Sequence, residues 1–201
     1  MAIPAVILAA GASQRMGGPL KPLLPYAGGT FLSAVAATLR TGGCDEIIVV
    51  LGCRADEVRG AAAALGLRAV VNDAWQTGML SSLRTGVRAL PPAAPGMLVT
   101  LVDLPALQPA TVRAVATAWQ AAPNCIAVAA VAGRRGHPVI FPRDLFTELL
   151  TGVFPDGPRG LRRAHADREL LVPVDDPGVM TDIDTPAAYR ELLAGRTEGT
   201  R

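Results

Sequence analysis

The residues best suited to chemistry lie in a glycine-rich segment near the start of the chain. Its members are Gly11, Ser13, Arg15, Gly17, Gly18 and Lys21. Glycines let a backbone approach a ligand closely, while a hydroxyl and two cations can bind anionic oxygens. Lys21 is the only lysine, against eighteen arginines. A position that kept lysine favours a compact point charge over a planar guanidinium, so the segment predicts a phosphate-binding loop.

The alternative for Lys21 is an accident of arginine-rich composition. A lone lysine would fall within residues 11 to 21 by chance in about one chain in eighteen. The loop is not a P-loop, because Lys21 follows Pro19-Leu20 and precedes Pro22. It is not a dinucleotide fingerprint either, because its glycines do not fit G-x-G-x-x-G.

Short β-branched runs alternate with amphipathic stretches along the chain. The predicted strands are 5–9, 46–51, 69–71, 97–101, 126–131 and 138–141, and the predicted helices are 31–39, 55–65, 80–90, 109–121 and 145–150. This alternation predicts an α/β fold: one Rossmann-like three-layer sandwich around a mostly parallel sheet. The strands are apolar almost throughout, as helices on both faces require. Binding chemistry should then lie beyond the carboxyl ends of the strands.

The C-terminal region has the signals of a helix start and stop. Thr185 or Asp184 can cap a helix that begins at Pro186, and Gly195 should end it. We therefore expect one domain over residues 1–195 and a disordered tail over 196–201.

Composition argues against several classes of partner. The net charge is only +2 and aromatic residues make up 4% of the chain, so a nucleic-acid partner is not expected. No run approaches the roughly 18 apolar residues of a membrane span, and no basic residue precedes the apolar 5–12 as in a secretion signal. Three cysteines without metal or disulfide spacing favour a reducing compartment. We expect a soluble, cytoplasmic protein without a membrane partner.

Six motifs follow one another along the chain: Leu8–Lys21 (LAAGASQRMGGPLK), Asn72–Trp75, Gly78–Arg84, Leu101–Pro105, Arg135–Pro138 and Asp182–Pro186. In this order they resemble a known family, the MobA-like nucleotidyltransferases. The first motif is similar to that family's signature L-A-[AG]-G-x-S-x-R-M-G followed shortly by lysine. Within the family, the set is most similar to the molybdenum cofactor cytidylyltransferases. The resemblance covers nearly the whole chain and implies a nucleotidyltransferase-type fold.

The resemblance also implies a reaction. A nucleoside monophosphate would pass from a nucleoside triphosphate to the phosphate of a molybdopterin-type cofactor, with release of pyrophosphate. Leu8, Ala9, Ala10 and Gly11 would meet the base through backbone atoms. Arg15 and Lys21 would neutralise the triphosphate. Family members with alanine at the position of Ala10 use cytidine, so CTP is the expected donor.

Two aspartates are the expected ligands of Mg²⁺, the cofactor that the family implies. Asp103 follows an apolar strand at the carboxyl edge of the predicted sheet, where a hard carboxylate can hold the ion against a triphosphate. Its alternative role is a turn before Pro105. Asp184 is the second candidate ligand, although it could instead cap the following helix, and Asp182 stays open as the ligand in its place.

The remaining motifs imply contacts with each substrate. Asn72, Gly78, Ser81 and Ser82 resemble a nucleotide or ribose contact, although the serines could instead cap a helix.

His137 and Arg159 are the expected acceptor contacts. The glycine before His137 would permit close approach of a ligand, and Arg162 and Arg163 add charge near Arg159. Alternatively, His137 bonds its own loop and the arginines lie on a solvated helix.

Three functions remain possible at this point. The first is a magnesium-dependent cytidylyltransferase that serves a molybdoenzyme client. The second keeps the fold and chemistry but uses a sugar or polyol phosphate as acceptor. The third is a non-catalytic chaperone for the pterin cofactor. The presence of Lys21, Asp103 and a second carboxylate counts against the third. No Ser-His-Asp or Cys-His arrangement is apparent, as expected when the attacking phosphate is already anionic.

Overall fold

The computed structural model describes residues 3–198. Its strands are β1 (Ala5–Ala9), β2 (Pro25–Tyr26), β3 (Gly29–Thr30), β4 (Ile47–Leu51), β5 (Arg68–Val71), β6 (Gly96–Leu101), β7 (Ile126–Val131), β8 (Arg134–Pro142) and β9 (Glu169–Pro173). Its α-helices are α1 (Phe31–Thr41), α2 (Ala55–Ala64), α3 (Met79–Ala89), α4 (Pro109–Ala121), α5 (Phe146–Thr151), α6 (Pro158–Ala164) and α7 (Pro186–Glu198).

Seven of the described strands form one sheet in the order β5-β4-β1-β6-β8-β7-β9. Only β8 runs against the others, because it pairs antiparallel with both β6 and β7. The predicted α/β class with a mostly parallel sheet is therefore confirmed. The two-residue strands β2 and β3 form a separate hairpin.

Helices cover both faces of the sheet and create two apolar cores. One core packs α1, α2 and α4 against Ile7, Val49 and Leu98. The other packs α3, α5 and α6 against Val6, Val50 and Val99. Neighbouring residues of one strand point to opposite faces, so a strand covered on both sides is apolar throughout. This three-layer arrangement was predicted.

Most predicted element bounds agree with the structure to within two residues, and α4 and β7 agree at both ends. The list of predicted elements lacks four features: the β2–β3 hairpin, the helix α6, the edge strand β9 and most of β8. The run 138–141 is only the buried second half of β8, whose first residues are polar and partly exposed. Within residues 3–198 no helix has the length and apolar character needed to cross a membrane.

The start of α7 agrees with the prediction and its end does not. Thr185 Oγ1 accepts a hydrogen bond from the Ala188 N–H at 3.2 Å, so Thr185 rather than Asp184 is the cap. Gly195 does not end the helix, which continues to Glu198. Glycine lowers helix stability by about 1 kcal/mol but does not forbid helical backbone. The predicted tail loses residues 196–198 to this helix, and residues 199–201 lie outside the described residues.

The carboxyl edge of the sheet brings distant parts of the chain together. Leu8 of β1 pairs with Leu101 of β6, so the segments that follow these two strands begin side by side. Since β8 is antiparallel, its first residues lie at the same edge. The turn that starts β8 consists of Ala132 and Gly133, whose φ values of 48° and 76° are typical of a two-residue hairpin.

Candidate functional site

A pocket of about 450 Å³ opens at this carboxyl edge. Four parts of the chain line it. The first is the N-terminal loop, with Leu8 to Arg15, Lys21 and Pro22; the second contributes Trp75, Gln76, Gly78, Met79 and Ser82; the third contributes Leu101, Val102 and Asp103; the fourth contributes Asp184. Pockets of this size are typical of small-molecule sites, and their position at the ends of parallel strands is the one expected in α/β proteins.

The glycine-rich segment forms one wall of the pocket. Ser13, Gly17 and Gly18 have positive φ values of 52°, 74° and 137°, so three of six successive residues adopt backbone conformations that favour glycine. Ser13 Oγ accepts a hydrogen bond from the Lys21 backbone N–H at 3.1 Å. Ser13 thereby holds the end of the loop that carries the lysine side chain.

Lys21 lies between two carboxylates that are far apart in sequence. Its Nζ donates to Asp103 Oδ2 at 2.7 Å and also to Asp184 Oδ1. Arg15 Nη2 lies 2.7 Å from the other oxygen, Asp184 Oδ2. The Lys21 side chain is only 12% exposed, whereas that of Arg15 is 70% exposed. The structure thus joins Lys21, Arg15, Asp103 and Asp184 in one cluster.

The charges of this cluster stabilise one another. Burial alone would lower the pKa of Lys21, but the nearby carboxylates of Asp103 and Asp184 more than offset it, and the pKa is raised. Burial would raise the pKa of Asp184, but Lys21 and Arg15 reverse this and lower it. Near neutral pH Lys21 and Asp184 are therefore charged.

Asp182 lies beside this cluster but makes no contact with it at hydrogen-bond distance in the described residues. Its pKa is raised by burial and by the negative charges of Asp103 and Asp184. The structure therefore brings Asp184, not Asp182, onto Lys21.

The donor set of the pocket fits a hard divalent cation. Asp103 Oδ1 is buried and has no hydrogen-bond partner in the described residues, which leaves an unused carboxylate oxygen on the pocket wall. Mg²⁺ is typically held by one or two carboxylates together with substrate phosphates. Asp103 and Asp184 would supply those two carboxylates. No described group of three or more acidic, cysteine or histidine side chains forms a metal cage of its own.

Backbone contacts bring Asp184 to the site. The Ile183 N–H donates to the Asp103 carbonyl at 3.0 Å, and the Ile183 side chain is 1% exposed. Further upstream, the buried Asp176 accepts from Gln108 N and Thr111 Oγ1 at the start of α4 and from Gly178 N. Sequence reasoning missed Asp176, whose only signal was its place before Pro177.

The predicted base-binding residues Leu8, Ala9, Ala10 and Gly11 all line the pocket. The carbonyls of Leu8 and Ala10 already accept hydrogen bonds from Val102 N and Cys53 N. A Cβ on Gly52 would lie 2.8 Å from Ala10 Cβ and 2.7 Å from Trp75 Cβ. The methyl group of Ala10 therefore packs into space that Gly52 leaves, beneath Trp75.

Asn72 and two serines organise the opposite wall. Asn72 Nδ2 donates to Ser81 Oγ and Ser82 Oγ at 2.8 and 3.0 Å, and its Oδ1 accepts from Ala74 N. Ser81 Oγ also donates to the Gly78 carbonyl. Gly78 and Ser82 line the pocket, while Asn72 and Ser81 lie behind it. Neither serine caps α3, so that alternative is wrong.

His137 lies at the start of β8, outside the lining of the pocket. Its Nδ1 is 3.4 Å from the carbonyl oxygen of Val99 on β6, so it bonds a neighbouring strand rather than its own loop. Burial lowers its pKa to about 4, with a smaller contribution from Arg162. The imidazole is therefore neutral at pH 7.

The expectation that Gly136 leaves room for a ligand is wrong. A Cβ there would lie 2.3 Å from the carbonyl oxygen of Val179, so the glycine accommodates that backbone.

The predicted arginines have different surroundings. Arg162 bonds Glu169 at 2.9 Å and Arg163 bonds Asp156 at 2.9 Å. Arg159 is exposed on α6 and has no ion-pair partner among the described residues. Its charge is therefore available to a ligand.

Several residues at the pocket were not predicted as site residues, and Trp75 and Arg54 are two of them. Trp75 lines it from a short 3-10 turn. Arg54 Nη1 donates to the Gly18 carbonyl at 2.9 Å and also pairs with Glu57, which connects the loop to α2.

Comparison with known proteins gives the chain a clear set of relatives. Residues 5–170 match the profile described as a MobA-like NTP transferase domain. Nicotine blue oxidoreductase from Paenarthrobacter nicotinovorans is 35% identical over 199 residues, which cover 95% of this chain and 96% of that protein.

Two solved structures are similar over nearly their full length. Rv0371c from Mycobacterium tuberculosis, in complex with manganese, is 34% identical with a TM-score of 0.74 and covers 96% of this chain and 99% of its own. A nucleotidyl transferase from Methanothermobacter, Mth528, is 27% identical with a TM-score of 0.81, and 99% of each chain is covered.

Proposed function

Because this chain belongs to the MobA-like NTP transferase domain family, we propose that it transfers CMP from CTP to the phosphate of a molybdopterin-type cofactor and releases pyrophosphate. The membership makes it a nucleotidyltransferase; the donor, acceptor and metal are the proposal. One observation carries the proposal: Lys21, Asp103 and Asp184 meet at the end of a glycine-rich loop on the pocket wall.

The loop and its cations would bind the triphosphate. Gly17 and Gly18 leave the space around their Cα atoms open, so phosphate oxygens can approach the backbone. Arg15 is largely exposed at the mouth and Lys21 lies deeper. Together they would offset the repulsion between an anionic acceptor and the α-phosphate and stabilise charge that develops there.

Asp103 and Asp184 would hold Mg²⁺, with Asp103 Oδ1 as the oxygen available for it. When bound, the ion supplies Lewis-acid stabilisation of the phosphate oxygens. The manganese complex of Rv0371c supports a divalent cation in this family. The protein needs no general base, because a phosphate nucleophile is already ionised near neutral pH. Holding the two substrates in line can supply roughly 7 to 11 kcal/mol in favourable cases.

The acceptor would lie on the β8 and α6 side of Asp103. Arg159 offers a positive charge for a phosphate, and neutral His137 can form a hydrogen bond without adding charge. The acceptor is the least constrained part of the proposal, since a sugar or polyol phosphate also presents an anionic nucleophile.

Donor and acceptor are tested in one assay with purified protein and Mg²⁺. Radiolabelled CTP and GTP compete for transfer to the molybdopterin cofactor, to sugar phosphates and to polyol phosphates. We expect CTP with the pterin acceptor to give the highest kcat/KM. Preference for GTP would overturn the role of Ala10, and preference for a sugar phosphate would overturn the acceptor.

A non-catalytic carrier would instead bind the pterin without release of pyrophosphate.

Because one relative is named nicotine blue oxidoreductase, reduction of nicotine blue should be measured beside CMP transfer. Oxidation of NADH or NADPH with nicotine blue is followed with the same protein. We expect no reduction of the dye, because the charges of the Lys21–Asp103–Asp184 cluster are suited to bind a nucleoside triphosphate together with a metal ion. Reduction at a rate that exceeds CMP transfer, and that survives Asp103→Asn, would favour the oxidoreductase.

A further inference from the structure

Lys21 occupies the place between two carboxylates that a divalent cation also requires. Its ammonium bonds one oxygen of Asp103 and one of Asp184 at the same time. Both carboxylates line the pocket, and the second oxygen of Asp103 is buried with no hydrogen-bond partner among residues 3–198. Lys21 thus pairs with both acids at the same time, and Arg15 adds a second contact to Asp184.

The charges of the cluster balance without a metal. Lys21 and Arg15 supply two positive charges and Asp103 and Asp184 two negative ones. A divalent cation that enters beside Lys21 would meet an ammonium a few ångströms away in a partly buried site, where charge repulsion is strong. The reverse also holds: if Lys21 left for a phosphate with no cation in its place, Asp103 would lose its cationic partner and Asp184 would keep only Arg15.

We propose that the Lys21 ammonium occupies the metal position between Asp103 and Asp184 when no metal is bound. As a divalent cation takes this position, Lys21 must move from the two aspartates to the phosphates of the nucleotide. The cation and the nucleotide therefore bind together. The inference rests on the metal role proposed for Asp103 and Asp184. Metal and nucleotide binding are then coupled thermodynamically, and the coupling is reciprocal. Neither donor identity nor acceptor identity enters the argument.

Two features make the movement of the Lys21 side chain feasible. The Lys21 backbone N–H is bonded to Ser13 Oγ, so the side chain can change its conformation while the backbone stays in place. Lysine has a long flexible stem with a compact charge, whereas the planar fork of arginine would need a new geometry at each location.

Wild-type protein allows a direct test, because Lys21 is the only lysine in the sequence. Protein labelled with ¹⁵N at lysine gives a single side-chain ¹⁵Nζ resonance, which reports on the Lys21 ammonium alone. We expect millimolar Mg²⁺ without nucleotide to leave this signal in place. Mg²⁺ with CTP, or with GTP in a parallel titration, should shift it. A shift of equal size with Mg²⁺ alone, or none with either nucleotide complex, would overturn the exchange.

Removal of the ammonium should free the metal site. Mn²⁺ binding without nucleotide is measured by EPR for wild type and Lys21→Met, and we expect the variant to bind at least about tenfold more tightly. Arg59→Met is the matched control, since Arg59 is an exposed α2 cation paired with Asp56 away from the pocket. Its Mn²⁺ affinity should equal that of wild type. Asp103→Asn added to Lys21→Met should abolish the gain.

Mn²⁺ affinity in Lys21→Met equal to or weaker than wild type would contradict the proposal, provided that circular dichroism shows a folded variant. If that variant does not fold, the NMR titration of wild type decides alone. Neither measurement depends on turnover. If the protein transfers no CMP but Lys21 and the metal exchange as expected, only the proposed function is rejected. If the protein transfers CMP but the Lys21 signal does not shift, only the exchange is rejected.

Discussion

At the scale of single residues, the structure gives the lone lysine a geometric role. Lys21 contacts acids that are 82 and 163 positions away in the sequence. The loop pattern alone indicated an anion-binding lysine, and the strand before Asp103 indicated a carboxylate at the same edge. Sequence could not show that the two side chains bond each other, because this depends on the register of β1 beside β6.

Replacement of Lys21 should greatly reduce transfer. We expect Lys21→Ala to lower kcat/KM about 100-fold or more, because a charge aimed at the phosphates is lost from a partly buried site. Lys21→Arg should retain only part of the wild-type kcat/KM, since a planar guanidinium cannot take the place of the ammonium between the two aspartates. Separate kcat and KM values show whether Lys21 acts on binding or on the transition state. Wild-type kcat/KM in Lys21→Ala at saturating metal would contradict its assigned role.

His137 should make stability depend on acid pH. Its pKa is lowered from 6.5 to about 4 in the folded protein, so below pH 6.5 the unfolded chain binds a proton that the folded one does not. The free energy of unfolding should therefore fall as pH decreases from about 6.5 towards 4, by about 2 kcal/mol between pH 7 and pH 5.

Urea denaturation at both pH values measures this change. His137→Gln should remove most of the loss, whereas His165→Gln, at the other histidine, should retain it. A His137→Gln protein with an unchanged loss would show that other groups cause the acid sensitivity.

At the scale of elements, the sequence predicted the parts with strong patterns and missed those that depend on neighbours. Buried strands and the long helices are apolar with clear periodicity. Strand β9 is half-buried at the edge of the sheet, and β2 and β3 have two residues each. None of these three strands has a clear hydrophobic pattern in the sequence. The contact of Gly136 with Val179 joins β8 to a turn forty residues later, which no local pattern reveals.

A methyl group at Gly136 should disturb the segment that carries Asp184. Its Cβ would lie 2.3 Å from Val179 O, a backbone atom that can yield only if the 177–179 turn moves. We expect Gly136→Ala to cost about 1 to 3 kcal/mol of unfolding free energy and to weaken metal binding.

Gly60→Ala in the interior of α2 is the matched comparison, because a Cβ there has no neighbour within 4 Å. It should raise stability by about 0.5 to 1 kcal/mol. Equal effects of the two substitutions on urea midpoints would show that the Val179 contact is relaxed at little cost.

At the scale of the whole molecule, two apolar cores share one sheet. Val6 and Ile7 are neighbours in β1, yet they belong to different cores, so neither core can open without exposing the strand that supports the other. The described residues therefore favour a single cooperative unit. The boundary at residue 195 stays a prediction.

Unfolding should accordingly be one transition. Trp119 is buried in the core on the α4 side, and the helices that dominate far-UV circular dichroism lie on both sides. We expect tryptophan fluorescence and circular dichroism to give the same urea midpoint. Separate midpoints would mean that the two faces of the sheet unfold independently.

The hairpin turn at Ala132 and Gly133 has an evolutionary consequence. Both residues are exposed, and the turn stands at the carboxyl edge of the sheet, while β1 and its glycine-rich loop belong to a different part of the chain. Surface turns of this kind tolerate insertions well. Added length here would reshape the wall beside β8 without altering the register of β1 and β6. Under the proposed function, variation at this one short connection would change the acceptor preference and leave the loop that carries Lys21 unaltered.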